Sequence, residues 1–316
     1  MIESFSFYNV ENLFLPDPKS THKLDPTISG LRNWDERKYR NKLFKIAHVF
    51  QLMKEDNGVL PFVIGLAEVS GRKVLEELVQ MDPFNSEYGI VHYNSMDERR
   101  VDVAILYDKS KVEVIDSETI TFFFEITDRN IESYDTTRDV LYSKISYKGE
   151  IINVFVAHLP SKREKDVNKP KRSFILEEIR GRILNIVDQK KEHVILCGDF
   201  NENPDDENLV KILYDNDGRK VLENPFQELF STRRYSTFHY KSGLLFDQIM
   251  LSRSFFGSSN LAFQNADVFN SEKISSRDRK FEGRPFRTYA GTRYLGGYSD
   301  HFPVFVQLAY SKNMNK

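Results

Sequence analysis

One cysteine, Cys197, stands in 316 residues. Its solitude excludes an intramolecular disulfide and a cysteine-built structural zinc site, and its place inside an apolar run reads as burial. No apolar run approaches the roughly 18 residues of a membrane span. No basic stretch followed by an apolar one opens the chain, so a signal peptide is not expected. Neither sign of charge prevails, with 45 Lys and Arg against 47 Asp and Glu. A global attraction to nucleic acid or acidic membranes is therefore excluded, and any polyanion must be met by local patches. Repeats, low-complexity tracts and an interdomain linker are also missing. These absences lead us to expect a soluble, cytoplasmic protein with one domain over residues 1–316; they leave its oligomeric state open.

What is present is apolar bulk, including 25 Phe and 15 Tyr, enough for a sizeable core and inconsistent with disorder. The run Val194–Cys197 reads as a buried strand, too short for a helix, that stops at Gly198. Asp199 and Asn201 follow two apart, so a carboxylate and an amide project together from a strand end. The same pair also suits an Asx-turn, in which Asp199 caps its own loop. Further strands are predicted at 2–10, 62–67, 88–93, 101–107, 112–115, 120–126, 140–147, 151–158, 246–251 and 303–308. Lys148-Gly149-Glu150 is a hairpin signal. Tyr39, Leu43, Ile46, Phe50 and Met53 recur every three or four residues, which predicts a helix over 35–56. Ser70 is a candidate cap for a second helix carrying Val74, Leu75, Leu78 and Val79. Ile175, Ile179, Ile183 and Ile186 mark a third, and 205–214 a short acidic one. Meanders mixed with so few helices do not make a regular βαβ barrel. They fit an α/β fold in which two packed mixed sheets are flanked by helices.

The strand ends carry a consistent chemistry: Asn9, Glu11, Glu68, His158, Asp199, Asn201, Asp247, Asp300 and His301. Singly, each is an ordinary turn or hydrogen-bonding residue. Together they form a set of hard oxygen ligands suited to Mg²⁺ or Mn²⁺, with two histidines able to serve a phosphate.

Six segments carry a resemblance. Phe7-Tyr-Asn9-Val-Glu11-Asn-Leu, Gly65-Leu-Ala-Glu68-Val, Ala157-His158-Leu-Pro-Ser161, Gly198-Asp199-Phe-Asn201, Phe246-Asp247-Gln-Ile and Tyr298-Ser299-Asp300-His301-Phe-Pro303 resemble, in order, the motifs of the endonuclease/exonuclease/phosphatase superfamily. Its members include pancreatic-type deoxyribonuclease, abasic-site endonucleases, sphingomyelinases and inositol-polyphosphate phosphatases. The opening motif and Pro285-Phe-Arg-Thr-Tyr with the later Tyr294-Leu-Gly-Gly-Tyr look like a bacterial endonuclease-like branch. The resemblance implies a four-layer α/β sandwich. It also implies Glu68 as the principal metal carboxylate, with Glu11 and Asp300 near the metal. His301 would contact the scissile phosphate, Asp247 would orient it, and Asn9 would belong to the catalytic set. Asp199 and Asn201 would position the attacking water and bind the phosphate. His158 stands where deoxyribonuclease-like members have a second histidine, unlike abasic endonucleases. Asp102 is a candidate to orient His158, or else a plain turn residue.

Two segments are locally basic. Residues 160–172 hold Lys162, Arg163, Lys165, Lys169, Lys171 and Arg172 against two carboxylates, and 276–293 hold six cations against two. Each adjoins a motif, so both are expected to flank one site and to meet phosphates rather than bases. Ser161, Lys162, Arg163, Arg138 and Arg287 are the candidate substrate contacts, with Tyr289 beside them. The expected activity is a divalent-metal-dependent phosphoester hydrolase acting on nucleic acid, a nuclease or phosphodiesterase with Mg²⁺ or Mn²⁺. The alternatives are hydrolysis of a small phosphoester or lipid headgroup, and a binding module without catalysis.

Overall fold

The computed structural model describes residues 1–18, 29–95, 100–128, 131–162, 166–257 and 259–311. The chain begins with β1 (Ile2–Leu13), α1 (Glu36–Asn57), β2 (Val63–Val69), α2 (Arg72–Val79), β3 (Tyr88–His92) and β4 (Asp102–Asp108). Next come β5 (Val112–Ile120), the antiparallel pair β6 (Phe123–Asp128) and β7 (Ile131–Thr136), β8 (Val140–Tyr147) and β9 (Glu150–His158). The middle holds α3 (Lys169–Asn185), β10 (His193–Asp199), α4 (Glu207–Lys211), β11 (Leu222–Glu223) and α5 (Phe226–Ser231). The hairpin β12 (Thr237–His239) and β13 (Ser242–Leu244), then β14 (Asp247–Ser252) and β15 (Leu261–Val268), lead to a final region. That region has a two-residue pair, β16 (Tyr289–Ala290) and β17 (Arg293–Tyr294), and the last strand, β18 (Val304–Tyr310).

Two six-stranded sheets result, ordered β15-β18-β1-β2-β4-β3 and β11-β14-β10-β9-β8-β5. Only β1 with β2 and β9 with β10 pair parallel within them; the other neighbours are antiparallel. With the helices outside, this is the four-layer α/β sandwich. β10 shows why its apolar run does not alternate. Ile195 and Cys197 pack into the core between the sheets, while Val194 and Leu196 join Ile175, Leu176, Ile179 and Ile183 of α3. A strand buried on both faces loses its period-two signal. Gly65 of β2 keeps the sheets close: a Cβ there would stand 3.0 Å from both Cys197 Sγ and the Phe7 ring.

α1 starts where Asp35 accepts a hydrogen bond from the Lys38 N–H at 2.9 Å and stops at Gly58, whose φ of 74° is left-handed. Its predicted stripe is buried as expected. Lys148 and Gly149 take φ of 51° and 87°, the geometry of a tight hairpin turn between β8 and β9. Some expectations change. Ser70 does not cap α2, whose N-cap is Gly71 without a side-chain bond; the Ser70 amide instead donates to Leu13 O. The run 112–115 continues to Ile120 through a bulge between Val114 and Asp116, because pairing with β8 carries it across the polar stretch. The basic segment 160–172 turns helical at Lys169, and the third helix ends in a π-turn at Ile186–Lys190. β15 is an edge strand with mixed exposure, and so it offers no alternation to read. No helix among the described residues is long and apolar enough to cross a membrane.

Strand direction assembles the site. β9 and β10 run parallel, so His158 and Asp199 end side by side. β14 runs against β10, so Asp247 at its start lies opposite Asp199. β18 likewise runs against β1, which brings the preceding Asp300 and His301 to the edge where β1 carries Asn9 and Glu11. Asp247, Asp300 and His301 therefore arrive from N-terminal rather than C-terminal strand ends. Gly198 permits a close approach: a Cβ on it would meet Ala157 O at 2.2 Å, beside His158.

Candidate active site

Asp199 is the hub. Its Oδ2 accepts from Asn9 Nδ2 at 3.0 Å, and its Oδ1 accepts from the Asn201 amide at 3.0 Å. His158 Nε2 lies 3.6 Å and His301 Nε2 3.9 Å from that same Oδ2. Burial pushes the Asp199 carboxyl up to about 6, although the charge on His301 works the other way. Asp247 is wholly buried. Its Oδ2 takes a 2.6 Å bond from His301 Nδ1 and a 2.5 Å bond from the Ser236 hydroxyl. Burial alone would depress the His301 pKa, but Asp247, Asp199 and Asp300 outweigh it and raise it well above the usual range. His301 is thus a cation aimed at the carboxylate hub. Its backbone is set by Ser299, whose hydroxyl accepts from the His301 N–H at 3.1 Å and donates to Asn9 O at 2.7 Å.

Asn9 is the crosspiece. Besides Asp199, its Nδ2 reaches Glu68 Oε1 at 3.4 Å, and its Oδ1 accepts from the Glu11 amide at 3.0 Å. Glu68 Oε2 accepts from the Asn12 amide at 3.0 Å, and its Oε1 lies 3.9 Å from His158 Nε2. Glu11, Asn12, Glu68 and Asn201 all hold left-handed φ, between 51° and 64°. Non-glycine residues in that region cost about 1–3 kcal/mol each, and such strain concentrates at functional sites.

Glu11 differs from the expected metal ligand. Its Oε2 accepts from the Thr288 N–H at 2.6 Å and its Oε1 from the Tyr289 N–H at 3.3 Å. Burial and the Asp300 charge push its carboxyl up to about 7. The fully buried Lys42 donates to Thr288 Oγ1 at 2.6 Å and Tyr298 O at 2.5 Å; burial lowers it to about 8. Glu11 and Lys42 therefore clamp the segment that carries Arg287. Arg287 itself donates to Asp300 Oδ2 at 2.7 Å, with its Nε 4.0 Å from Glu11 Oε1.

A cleft of about 1020 Å³ opens on this constellation, with Asn201, Asp300 and His301 in its wall. Its lining adds Lys45, Lys273, Arg277, Arg284, Arg287 and Arg293, and the rings of Phe238, Tyr240, Phe246, Phe281, Phe286 and Tyr298.

The profile described as "Endonuclease/Exonuclease/phosphatase family" matches residues 4–310. The chain belongs to that family. No curated protein sequence matches it. Solved structures share the fold at low identity. D. rerio TDP2, complexed with a single-strand DNA product, is 17% identical with a TM-score of 0.59, over 97% of this chain and 98% of that one. The Bacteroides thetaiotaomicron mannosyl-6-phosphatase is 16% identical with a TM-score of 0.60, over 98% and 100%. The human Nocturnin catalytic domain with bound sulfate is 14% identical with a TM-score of 0.56, over 98% and 95%.

As a member of the endonuclease/exonuclease/phosphatase family, the chain has phosphoester hydrolysis as its chemistry. The donor set fits a hard divalent cation: Glu68 and Asp300 offer partly exposed carboxylate oxygens, and the one cysteine is buried between the sheets. Asp199, Asp247 and His301 also bring three ligand atoms within 4.8 Å of one another. Within that group the wholly buried Asp247 already holds His301 Nδ1 at 2.6 Å, which leaves His301 Nε2 turned to Asp199.

Other expectations are corrected. Asp102 does not orient His158; its Oδ2 bonds His92 Nε2 at 3.0 Å and its Oδ1 accepts from Ser95. Tyr289 is buried, its hydroxyl donating to Arg32 O, and it does not face a phosphate. Arg172, counted among the cations of the basic segment 160–172, is wholly buried on Glu202 and Asp166. Lys162 pairs with Asp206 at 3.1 Å and lies over Phe246. Arg138 reaches Leu159 O at 3.5 Å, next to His158, and Ser161 O is held by Asn168. Arg163 and Lys165 lie outside the described residues. Lys42 and Ser236 were not foreseen. Lys42 could have been: it sits three after Tyr39 and four before Ile46, a lysine on the buried stripe of α1. Ser236 gives no local signal.

Proposed function

We propose that the protein is a Mg²⁺- or Mn²⁺-dependent phosphodiesterase that cleaves nucleic acid, with Glu68 and Asp300 holding the metal. The observation that carries this reading is the cleft lining, where six cationic side chains and six aromatic rings are continuous with Asp300 and His301. Cations meet successive phosphates, and rings offer surfaces to bases; a single sugar phosphate needs neither in such number.

A metal held by Glu68 and Asp300 would supply positive charge against the phosphoryl oxygens. Asp199, raised toward neutrality and held by Asn9 and Asn201, accepts a proton from the attacking water. His301, kept cationic and aimed by Asp247, donates a hydrogen bond to a phosphoryl oxygen as charge builds. His158, beside Asp199 and Glu68, lies within reach of the same phosphate. Water oxygen bonds to phosphorus as the bond to the leaving oxygen breaks on the opposite side. Arg287, now spent on Asp300, is placed to turn to the substrate.

A turnover screen with Mg²⁺ and with Mn²⁺ on single-stranded DNA, duplex DNA, RNA and sugar phosphates tests the reading. Cleavage of an oligonucleotide that is abolished by chelation is expected. Turnover of sugar phosphates alone would replace it with a small-molecule phosphatase. Absence of any turnover would leave a binding module.

A further inference from the structure

Tyr240 occupies the turn between β12 and β13 and is 84% exposed, more than any other large hydrophobic side chain among the described residues. An exposed tyrosine at a hairpin tip is ordinarily unremarked. This one lines the same cleft as His301 and Asp300, and its position is built rather than incidental. Arg284 donates through Nη1 to Tyr240 O, and the guanidinium lies 5.2 Å from the Phe238 ring centroid and 5.4 Å from that of Phe281. The Phe238–Arg284–Phe281 stack thereby fixes the hairpin from behind. The His239 ring sets its edge against Tyr240 at 4.5 Å, and the Tyr240 backbone is left-handed at φ 50°. The result is an aromatic side chain left 84% exposed on the wall of a cationic cleft.

We infer that Tyr240 is a base-stacking subsite that makes the enzyme prefer unpaired nucleic acid. The inference rests on the nucleic-acid reading above and adds which form is bound. Phosphates of a strand lie along Lys273, Arg277 and Arg293, and one base leaves its neighbours to stack on the Tyr240 ring. A base inside a duplex has both faces covered and cannot do so without unstacking, whereas every unpaired base offers a π-face. Arg284 acts as a positioning residue for the ring, since its guanidinium is already enclosed by two phenylalanines.

The test measures binding by metal-free protein to three fluorescent probes: a single-stranded oligothymidylate, a strand of equal length made of abasic spacers, and a duplex. Wild-type protein should bind oligothymidylate the tightest. Tyr240→Ala should weaken oligothymidylate binding about tenfold and leave the abasic strand unchanged, and Tyr240→Phe should restore it. The steepness of salt dependence should stay the same in all three proteins, because a stacked ring releases no counterions. If wild-type protein binds oligothymidylate but Tyr240→Ala binds it equally well, the stacking subsite is wrong and the nucleic-acid reading stands. Equal weakening on the abasic strand would likewise overturn stacking, because the loss would not involve a base. If wild-type protein binds none of the probes at low salt, the nucleic-acid reading fails and this inference fails with it.

Discussion

Asp247 and His301 are joined by one bond, 2.6 Å long, between a wholly buried carboxylate and a partly buried ring. Asp247→Asn keeps the shape but removes the charge that holds the imidazole cationic, so kcat should fall about 10²–10⁴-fold. The double variant with His301→Gln should be no slower than His301→Gln alone, since a pair acting as a unit is lost once. Rate losses that multiply would show independent residues. Glu11 makes a different prediction. Its two oxygens hold the backbone of Thr288 and Tyr289, and glutamine has only one acceptor for the two donors. Glu11→Gln should raise KM by loosening the Arg287 segment, while calorimetric Mg²⁺ affinity stays near wild type. Glu68→Gln should lower that affinity. A comparable loss of Mg²⁺ binding in Glu11→Gln would return Glu11 to the metal.

At the scale of elements, Arg172 joins three pieces of chain. From the first turns of α3 it donates to Pro160 O after β9, Asp166 in the intervening loop and Glu202 after β10. This ties the loops that follow His158 and Asp199 to one helix. Arg172→Ala would leave Glu202 buried without its counter-charge, a change worth about 3–5 kcal/mol. Urea denaturation should register it, and Arg172→Met with Glu202→Leu should recover much of the loss. A stability change below about 1 kcal/mol, the range of surface pairs, would mean that the pair is not enclosed. At the opposite end of β10, His193 bonds Ser254 and Glu150. Burial lowers its pKa despite Glu150. The unfolded chain then binds the proton first, so stability should hold above pH about 6.5 and decline as pH falls below it. Comparing urea midpoints at neutral and mildly acidic pH, wild-type protein should lose more stability than His193→Gln.

For the whole molecule, electrostatics is a matter of arrangement. The net charge is −2, yet the cleft gathers Lys45 from α1 with Lys273, Arg277 and Arg293 from a remote segment. Replacing Lys273, Arg277 and Arg293 with Ser should flatten the dependence of single-strand binding on salt by about 0.7 for each phosphate no longer neutralised. An unchanged slope would mean that phosphates do not lie there. Lys171 and Arg172 are unsuited to this test, the first lying over Phe124 and the second being buried.

The local pattern was enough to determine most strands of the two sheets, though not β11 or β15, with the stripe of α1, the hairpin at Lys148-Gly149 and the polar residues at strand ends. These depend on periodicity, turn chemistry and motif order, which neighbouring residues carry by themselves. Partnership was decided elsewhere. Nothing adjacent to Asp102 says that it faces His92 instead of His158, nor to Glu11 that its oxygens are taken by amides 277 and 278 residues away. Lys42 and Ser236 reach the site from α1 and from the loop before β12, and the charge of residues 160–172 loses Arg172 to the interior. Charge, exposure and hydrogen-bond partner belong to pairs of residues, and which pairs meet is settled only when antiparallel strands bring opposite ends of the chain to one edge of the sheets.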